Sequence, residues 1–453
     1  MTSAQQDPLA TCRRSVRELQ NESRAPSVVA AVVRGGALTW SDCVGLAEVE
    51  TGRPATLDTQ YRIGSITKTF TAVLLMQLRD AGRLDLDDRL DRHLPGTRHG
   101  AVTLRQMLSH LSGLKREPAP GRAGELWETL EIPGREDFLA GFESADPVLA
   151  PYRRWHYSNL AYAVLGEVVA RTTGGSWEEA LRERVLEPLG LQRTTVDPAE
   201  PAACGYLSDP YADVLHPEPD TALGPFAPAG QLWSTATDLA RWAGFLAAPD
   251  PAVLAPDTVA EMRHLHAMAD LERWTLGWGL GLMLHRRGER IWSGHGGSMP
   301  GFLASVMCSP DEDDPAAVVV LANTSTGADV EGLAGELLET VLDTEPREPA
   351  AWRPSAPPPA DVVGLLGRWW SEGSEFVLVW RRDRLEARSV DAPEHLPPAV
   401  FARDGDDRWL VVSGREQGEL LRVVRPADGS VERMYWAGYP LTRAVQVFGT
   451  PTG

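Results

Sequence analysis

The chain has 453 residues, 43% of them apolar and 24% charged, and carries a formal net charge of −19. That length exceeds what one hydrophobic core usually spans, so two domains are expected. The acidity excludes a nucleic-acid partner, which needs a basic face, and adsorption to an anionic membrane; the scattered Gly and Pro exclude a collagen-like or low-complexity chain.

The first residues, MTSAQQDPLATCRRSVRELQ, lack the charged-then-apolar order of a secretory signal. No apolar run approaches the ~18 residues of a membrane span, so a cytoplasmic location and no membrane partner are expected. Residues 8–22 read as an amphipathic helix. SVVAAVVRGGALTW then gives a strand, a turn at Gly35 and Gly36, and a returning strand. A helix follows from about Ser65 to Ala81, stopped by Gly82. Further helices are expected over 103–112, 159–172, 176–187 and 235–247, the last capped by Ser234.

From about residue 277 the pattern returns to strands (GWGLGLMLH, ERIWSGHG, FLASVMCSP, AAVVVLANTS), and a helix over 331–343 closes this part. Strands at both ends with helices between them imply one sheet assembled from distant parts of the chain. The stretch EPREPAAWRPSAPPPA reads as a linker, because such proline density continues neither helix nor sheet. Beyond it, EFVLVW, RLEARS, RWLVVS, LLRVV and VERMYW alternate between turn signals at Asp404-Gly405 and Asp428-Gly429, as in a small all-β barrel. The organisation is therefore a domain over 1–344, a linker over 345–360 and a barrel over 361–453.

Three short motifs carry chemistry. Ser65-Ile66-Thr67-Lys68 opens an apolar helix, so hydroxyl and amine share one face. A desolvated lysine can take a serine proton, and the helix N-terminus favours an oxyanion nearby. Of 44 basic residues only Lys68 and Lys115 are lysines. Arginine cannot lose its proton, so a general base explains the choice at position 68. Tyr157-Ser158-Asn159 begins another helix: the phenol can exchange protons with a leaving group, and the amide can hold both the lysine and a substrate carbonyl. His156 reads as structural. In His295-Gly296-Gly297-Ser298 the glycines let a substrate backbone lie against a strand edge, and the Ser298 N–H can face an oxyanion with that of Ser65.

No metal or other cofactor is called for. His264 and His266 lie on what reads as a helix surface, without a framing carboxylate-histidine motif, and Cys12, Cys43, Cys204 and Cys308 form no Cys-x-x-Cys pair.

The order of these motifs resembles that of the penicillin-recognising serine enzymes, in particular the branch holding class C β-lactamases, D-alanyl-D-alanine carboxypeptidases, esterases and D-aminopeptidases. YRIGSITKTFTA, VTLRQMLSHLSGL, WHYSNLAYAVLGEVVA, VLEPLGL and STATDLARW agree with it over roughly residues 10–345. The resemblance implies an α/β fold of the β-lactamase/transpeptidase type, an antiparallel sheet with flanking helices and a helical subdomain. The tail resembles a lipocalin-like barrel. It further implies Ser65 as nucleophile, Lys68 as its base and Tyr157 as proton shuttle. Asn159 would bind the acyl side-chain amide, His295, Gly296 and Gly297 would line the substrate edge, and the amides of Ser65 and Ser298 would form the oxyanion hole.

One departure matters. Where β-lactamases of this branch carry lysine-threonine-glycine, this chain has His295-Gly296-Gly297, which replaces a cation by a titratable imidazole and removes a hydroxyl. Both help hold a ligand carboxylate, so β-lactam hydrolysis is not the expected activity. The segments 116–150, with Trp127 and Phe142, and 205–233, with Tyr206, Phe226 and Trp233, are expected to set specificity. The expected function is acyl transfer through an acyl-enzyme on Ser65, on ester or peptide-type, possibly D-configured, substrates. The architecture also resembles stand-alone penicillin-binding-type thioesterases that macrocyclise a nonribosomal peptide taken from a carrier protein. The remaining alternative is a catalytically silent ligand-binding relative.

Overall fold

The computed structural model describes residues 8–117, 130–311, 313–344, 351–354, 356–393 and 396–445, in two compact units, Met1–Arg347 and Glu348–Gly453. In the first unit, helix α1 (Pro8–Ser23) leads into strand β1 (Ser27–Arg34). The chain turns back into β2 (Ala37–Glu48) through Gly35 and Gly36, both at positive φ, as a tight hairpin of right-twisted strands requires. The short β3 (Arg53–Pro54) follows.

Helices α2 (Thr67–Asp80), α3 (Asn159–Thr173) and α4 (Ala236–Ala247) occupy the middle of the chain. The later strands are β4 (Ala267–Met268), β5 (Leu276–Trp278), β6 (Met283–Arg287), β7 (Arg290–Met299), β8 (Phe302–Ser309) and β9 (Ala316–Ala322), followed by α5 (Val330–Thr344). The resulting nine-stranded sheet has the order β3-β2-β1-β9-β8-β7-β6-β5-β4.

Among the described residues its strand pairings are antiparallel, and the N-terminal β1 lies in the sheet's interior beside β9. Helices cover both faces, which is why SVVAAVVR is apolar at almost every position. Val29, Ala31 and Val33 join the core beneath α2, α3 and α4, while Val28, Ala30 and Val32 join the core beneath α1 and α5.

Several boundaries differ from expectation for local reasons. The cap of α4 is Thr235, whose hydroxyl accepts the Asp238 N–H at 3.1 Å; Ser234 instead pairs in a short strand with Tyr61. The helix expected over 176–187 passes through a π turn at Arg182–Leu186. Pro188 has no N–H for the Arg184 carbonyl four residues back, and the Gln77 amide donates to it instead at 3.0 Å. GWGLGLMLH is not one strand but the end of β5, a turn and the start of β6. His264 and His266 lie beyond the end of the helix Pro256–Met262, not on its surface.

The second unit begins with a short helix, Ala360–Val363, and continues as eight antiparallel strands from β10 (Gly367–Ser371) to β17 (Tyr439–Leu441), each paired with the next. Thr442, just past β17, exchanges main-chain bonds of 2.8 and 3.0 Å with Trp370 of β10, so the sheet closes on itself. The turns at Gly405 and Gly429 fall where the sequence placed them, whereas GRWWS, AVFAR and YPL are strands the alternation did not announce. Trp369, Leu378, Leu385, Phe401, Leu421 and Met434 pack together in its core. Of the proline-rich stretch, residues 345–350 and 355 lie outside the described residues; the remainder before Ala360 has no regular structure.

Candidate active site

The site is built where the start of α2, the start of α3 and the strand β7 converge. Ser65 sits in a single 3-10 turn, Gly64–Ile66, immediately before α2. The strand leading into that turn is held by Ile63, whose N–H donates to the Leu232 carbonyl at 2.9 Å. Two glycines let the turn and β7 touch. A Cβ on Gly64, which has φ +51°, would lie 2.7 Å from the Ser298 nitrogen and 2.9 Å from its oxygen, and one on Gly297 would lie 2.0 Å from the Ile63 oxygen. Any side chain at either position would force Ser65 away from the Ser298 N–H.

Lys68, the second residue of α2 and three residues past Ser65, is completely buried. Its Nζ lies 3.0 Å from Ser65 Oγ, 2.7 Å from Asn159 Oδ1 and 2.6 Å from the Ala229 carbonyl oxygen. Burial holds this amine well below its usual pKa; Arg116 adds to the effect and Glu117 opposes it. A neutral amine has two N–H donors and one lone pair. The Asn159 and Ala229 oxygens can only accept, so they take both donors and the lone pair is left for the Ser65 hydroxyl.

Tyr157 is positioned by stacking. Its ring lies 4.3 Å from that of His110 at an interplanar angle of 29°, meets Trp278 edge-on at 5.6 Å, and has Lys68 Nζ 4.9 Å from its centre. Its hydroxyl bonds to Ser65, while burial raises its pKa and keeps it a protonated phenol. His110 is buried at a positive φ of 57°, and its Nδ1 accepts the Ser158 N–H at 3.0 Å. Ser158 caps α3, accepting the Ala161 N–H at 2.9 Å, so Asn159 is the first helical residue. Both ends of the Asn159 amide are engaged: Oδ1 with Lys68 and Nδ2 with Glu117 Oε1 at 2.5 Å.

Strand β6 pairs with β7 only as far as Gly294, so residues 295–299 form an open edge beside Ser65. A cleft of about 420 Å³ runs along it, walled by Ser65, Arg116, Trp155, Tyr157, Trp278 and the stretch His295–Ser298, with Asp329 and Glu331 at its rim. The imidazole of His295 is only 3% exposed and donates from Nδ1 to the Gly296 carbonyl at 2.5 Å. Burial first, and then Lys68, pushes its pKa down to about 3. It is therefore a neutral ring near neutral pH, not the titrating group expected from the sequence.

The structure thus brings Ser65, Lys68, Tyr157, Asn159 and Ser298 together and sets His295, Gly296 and Gly297 along the adjacent edge. Of the aromatics expected to set specificity, Phe226 lines a small recess with Ser65 and Asn159. Phe142 packs on His99, Trp233 packs on Phe302, and Tyr206 is tied through its hydroxyl to Glu50, each as part of the core. Trp127 lies outside the described residues. Arg116, Glu117, His110, Trp155 and Trp278 were not singled out in advance. Trp155 opens WHYSNLAYAVLGEVVA and Trp278 lies within GWGLGLMLH, but nothing in their local pattern separates a cleft wall from core. Among the described residues no cluster of metal-ligating side chains exists, and no helix is long and apolar enough to cross a membrane.

Comparison with known proteins agrees with this geometry. Residues 12–342 match the family described as "Beta-lactamase", and residues 358–443 match a "Domain of unknown function (DUF7586)". Penicillin-binding protein 4 of Amycolatopsis lactamdurans is 32% identical over 382 residues, covering 78% of this chain and 96% of that protein. The crystal structure of SurE, also solved with D-Leu, is 28% identical with a TM-score of 0.62 and covers 96% of this chain and 99% of SurE. That of a D-stereospecific amidohydrolase from Streptomyces sp. is 26% identical with a TM-score of 0.59, covering 71% and 96%. With a buried lysine amine 3.0 Å from a serine hydroxyl, and a match over residues 12–342, the chain belongs to the β-lactamase family of serine hydrolases.

Proposed function

We propose that the protein forms an acyl-enzyme on Ser65 with an ester or peptide-type carbonyl and passes the acyl group to a second nucleophile. The observation that carries this is the surroundings of Lys68: its buried Nζ lies 3.0 Å from Ser65 Oγ and its other two neighbours are pure acceptors, so in the neutral amine the lone pair is directed at Ser65 Oγ. The Ser65 proton moves to Lys68 as Oγ attacks the carbonyl carbon. The amides of Ser65 and Ser298 receive the oxyanion. Collapse breaks the bond to the leaving group, which takes a proton from the Tyr157 hydroxyl; Tyr157 is reprotonated from Lys68. The acceptor then enters with its proton taken by the same groups in reverse.

The relatives point to D-configured substrates: the amidohydrolase is named for D-stereospecificity and SurE was solved with D-Leu. With a neutral His295, position 295 does not supply the cation that grips a β-lactam carboxylate in the lysine-threonine-glycine enzymes, which favours esters and peptide amides. A second reading follows from the resemblance of the motifs and the two-unit organisation to stand-alone thioesterases of the penicillin-binding type. In that reading the acceptor is the amine of the same acyl chain, delivered by a carrier protein, and the product is a macrocycle.

The test is mass spectrometry after treatment with a fluorophosphonate or a p-nitrophenyl ester. An adduct on Ser65 of the wild type and none on Ser65→Ala is the expected result. A folded wild-type protein that takes no adduct would overturn the reading. Peptide thioesters with free amines, scored for linear or cyclic product, then separate the two acceptors.

A further inference from the structure

An asparagine amide is nearly symmetrical in shape, so its two ends can exchange places at little steric cost. If Nδ2 of Asn159 faced Lys68, the neutral amine would spend its lone pair accepting that N–H, and Ser65 would have no base. Glu117 prevents this. Its Oε1 receives the Asn159 Nδ2 at 2.5 Å, and an ionised carboxylate can only accept, so the amide oxygen is turned towards Lys68. Glu117 is itself anchored by its backbone neighbours. The Ser158 hydroxyl donates to the Lys115 carbonyl at 2.6 Å, and the Asn159 and Leu160 N–H groups donate to the Arg116 carbonyl at 2.9 and 3.1 Å. The segment is thus fastened to the first turn of α3, the turn that carries Asn159.

We propose that Glu117 is the positioning residue of the general base: it fixes which end of the Asn159 amide meets Lys68, and its negative charge offsets the cationic surroundings of that lysine. The inference rests on the acyl-enzyme reading above and adds a residue to it. The groups facing Lys68 are Arg116 and Glu117 from this segment, Tyr157 and Tyr162 at the start of α3, His110, and His295 from β7. Burial keeps both histidines neutral and both phenols protonated. Glu117 is the anion of this set. Removing its charge leaves Arg116 unopposed and makes Lys68 harder to protonate.

The test compares Glu117→Gln with Glu117→Ala, using acylation by p-nitrophenyl acetate across pH, the mass of the Ser65 adduct, and thermal melting. A glutamine oxygen can still accept from Asn159 Nδ2 but carries no charge. Glu117→Gln is expected to displace the acid limb of kcat/KM to lower pH. Glu117→Ala, which also frees the amide to turn, is expected to lose about 10- to 100-fold in kcat with little change in KM for this small neutral ester. A merely structural role would lower melting temperatures without moving the limb. A wild-type acid limb in Glu117→Gln, or equal kcat losses in both variants, overturns the proposal. If Glu117→Ala does not fold, the Glu117→Gln limb still decides. A wild-type protein that takes no adduct on Ser65 overturns the acyl-enzyme reading instead, so the two failures are distinct.

Discussion

Gly64 and Ser298 are in backbone contact: a Cβ on Gly64 would stand 2.7 Å from the Ser298 nitrogen. The turn that carries Ser65 and the N–H proposed to receive the oxyanion are therefore set by one close approach between segments far apart in sequence. Gly64→Ala adds a methyl group where there is no room and strains a positive φ. Losing alignment with one oxyanion donor is expected to reduce kcat by about 10²- to 10³-fold. Burst kinetics with a p-nitrophenyl ester, read beside the melting temperature, check this; a full burst in Gly64→Ala would refute it.

Lys68→Arg keeps a cation but removes the possibility of a lone pair. Acylation is expected to fall by at least about 10²-fold, the usual scale of a lost general base. Stopped-flow acylation of folded protein measures it, and a loss smaller than tenfold would argue that another group takes the Ser65 proton.

The pH dependence has a definite sign. Burial lowers the Lys68 pKa, so activity rises with pH through that depressed value as the amine becomes neutral. Stability follows the same direction. The unfolded chain binds the lysine proton more readily than the folded one, so folding gains stability as pH rises from the folded pKa to the unfolded one. Tyr157 is protonated beyond its ordinary range, so the alkaline limb is expected above pH ~10. His295, held at about 3, contributes no limb between pH 5 and 8. A limb in that interval that disappears in His295→Gln would contradict this assignment.

In the second unit, Trp369 is fully buried and its indole N–H donates to the Leu365 carbonyl at 2.7 Å. Trp369→Ala is expected to destabilise that unit by about 3–5 kcal/mol. Calorimetry of the whole chain should show the corresponding transition move down. An unchanged thermogram would mean that the core tolerates the void.

Much of the site was legible because its chemistry lies in short, regularly placed segments. Ser65 and Lys68 share a helix face, and the scarcity of lysine marked one of them. Tyr157 and Asn159 were read at a helix start, where the structure also has one. Glu117 gave no such sign, since it lies in a stretch without periodicity and its proposed role depends on neighbours brought close by the fold, among them Asn159, 42 residues further on. His295 was readable as a residue but not as a neutral ring, because its charge depends on burial by distant elements. Tyr206 and Trp233 look the same in sequence as Trp155 and Trp278. Long-range packing makes two of them core and two of them walls of the cleft.

The neighbouring interior strands β1 and β9 of the large sheet come from opposite ends of the first unit: the Ser27 N–H donates to Asn323 Oδ1 across 296 residues at 2.7 Å. Contacts of such span form late, after most of the loop-closure entropy has been overcome. Strand β7, which carries Ser298, reaches β1 only through β8 and β9. During synthesis, a chain that has emerged only as far as α4 already possesses Ser65, Lys68, Tyr157 and Asn159, but neither the second oxyanion donor nor the strands that hold it. In the proposed acyl-enzyme mechanism, reactivity is thereby tied to completion of the sheet, and an unfinished chain carries the serine without the rest of the proposed centre.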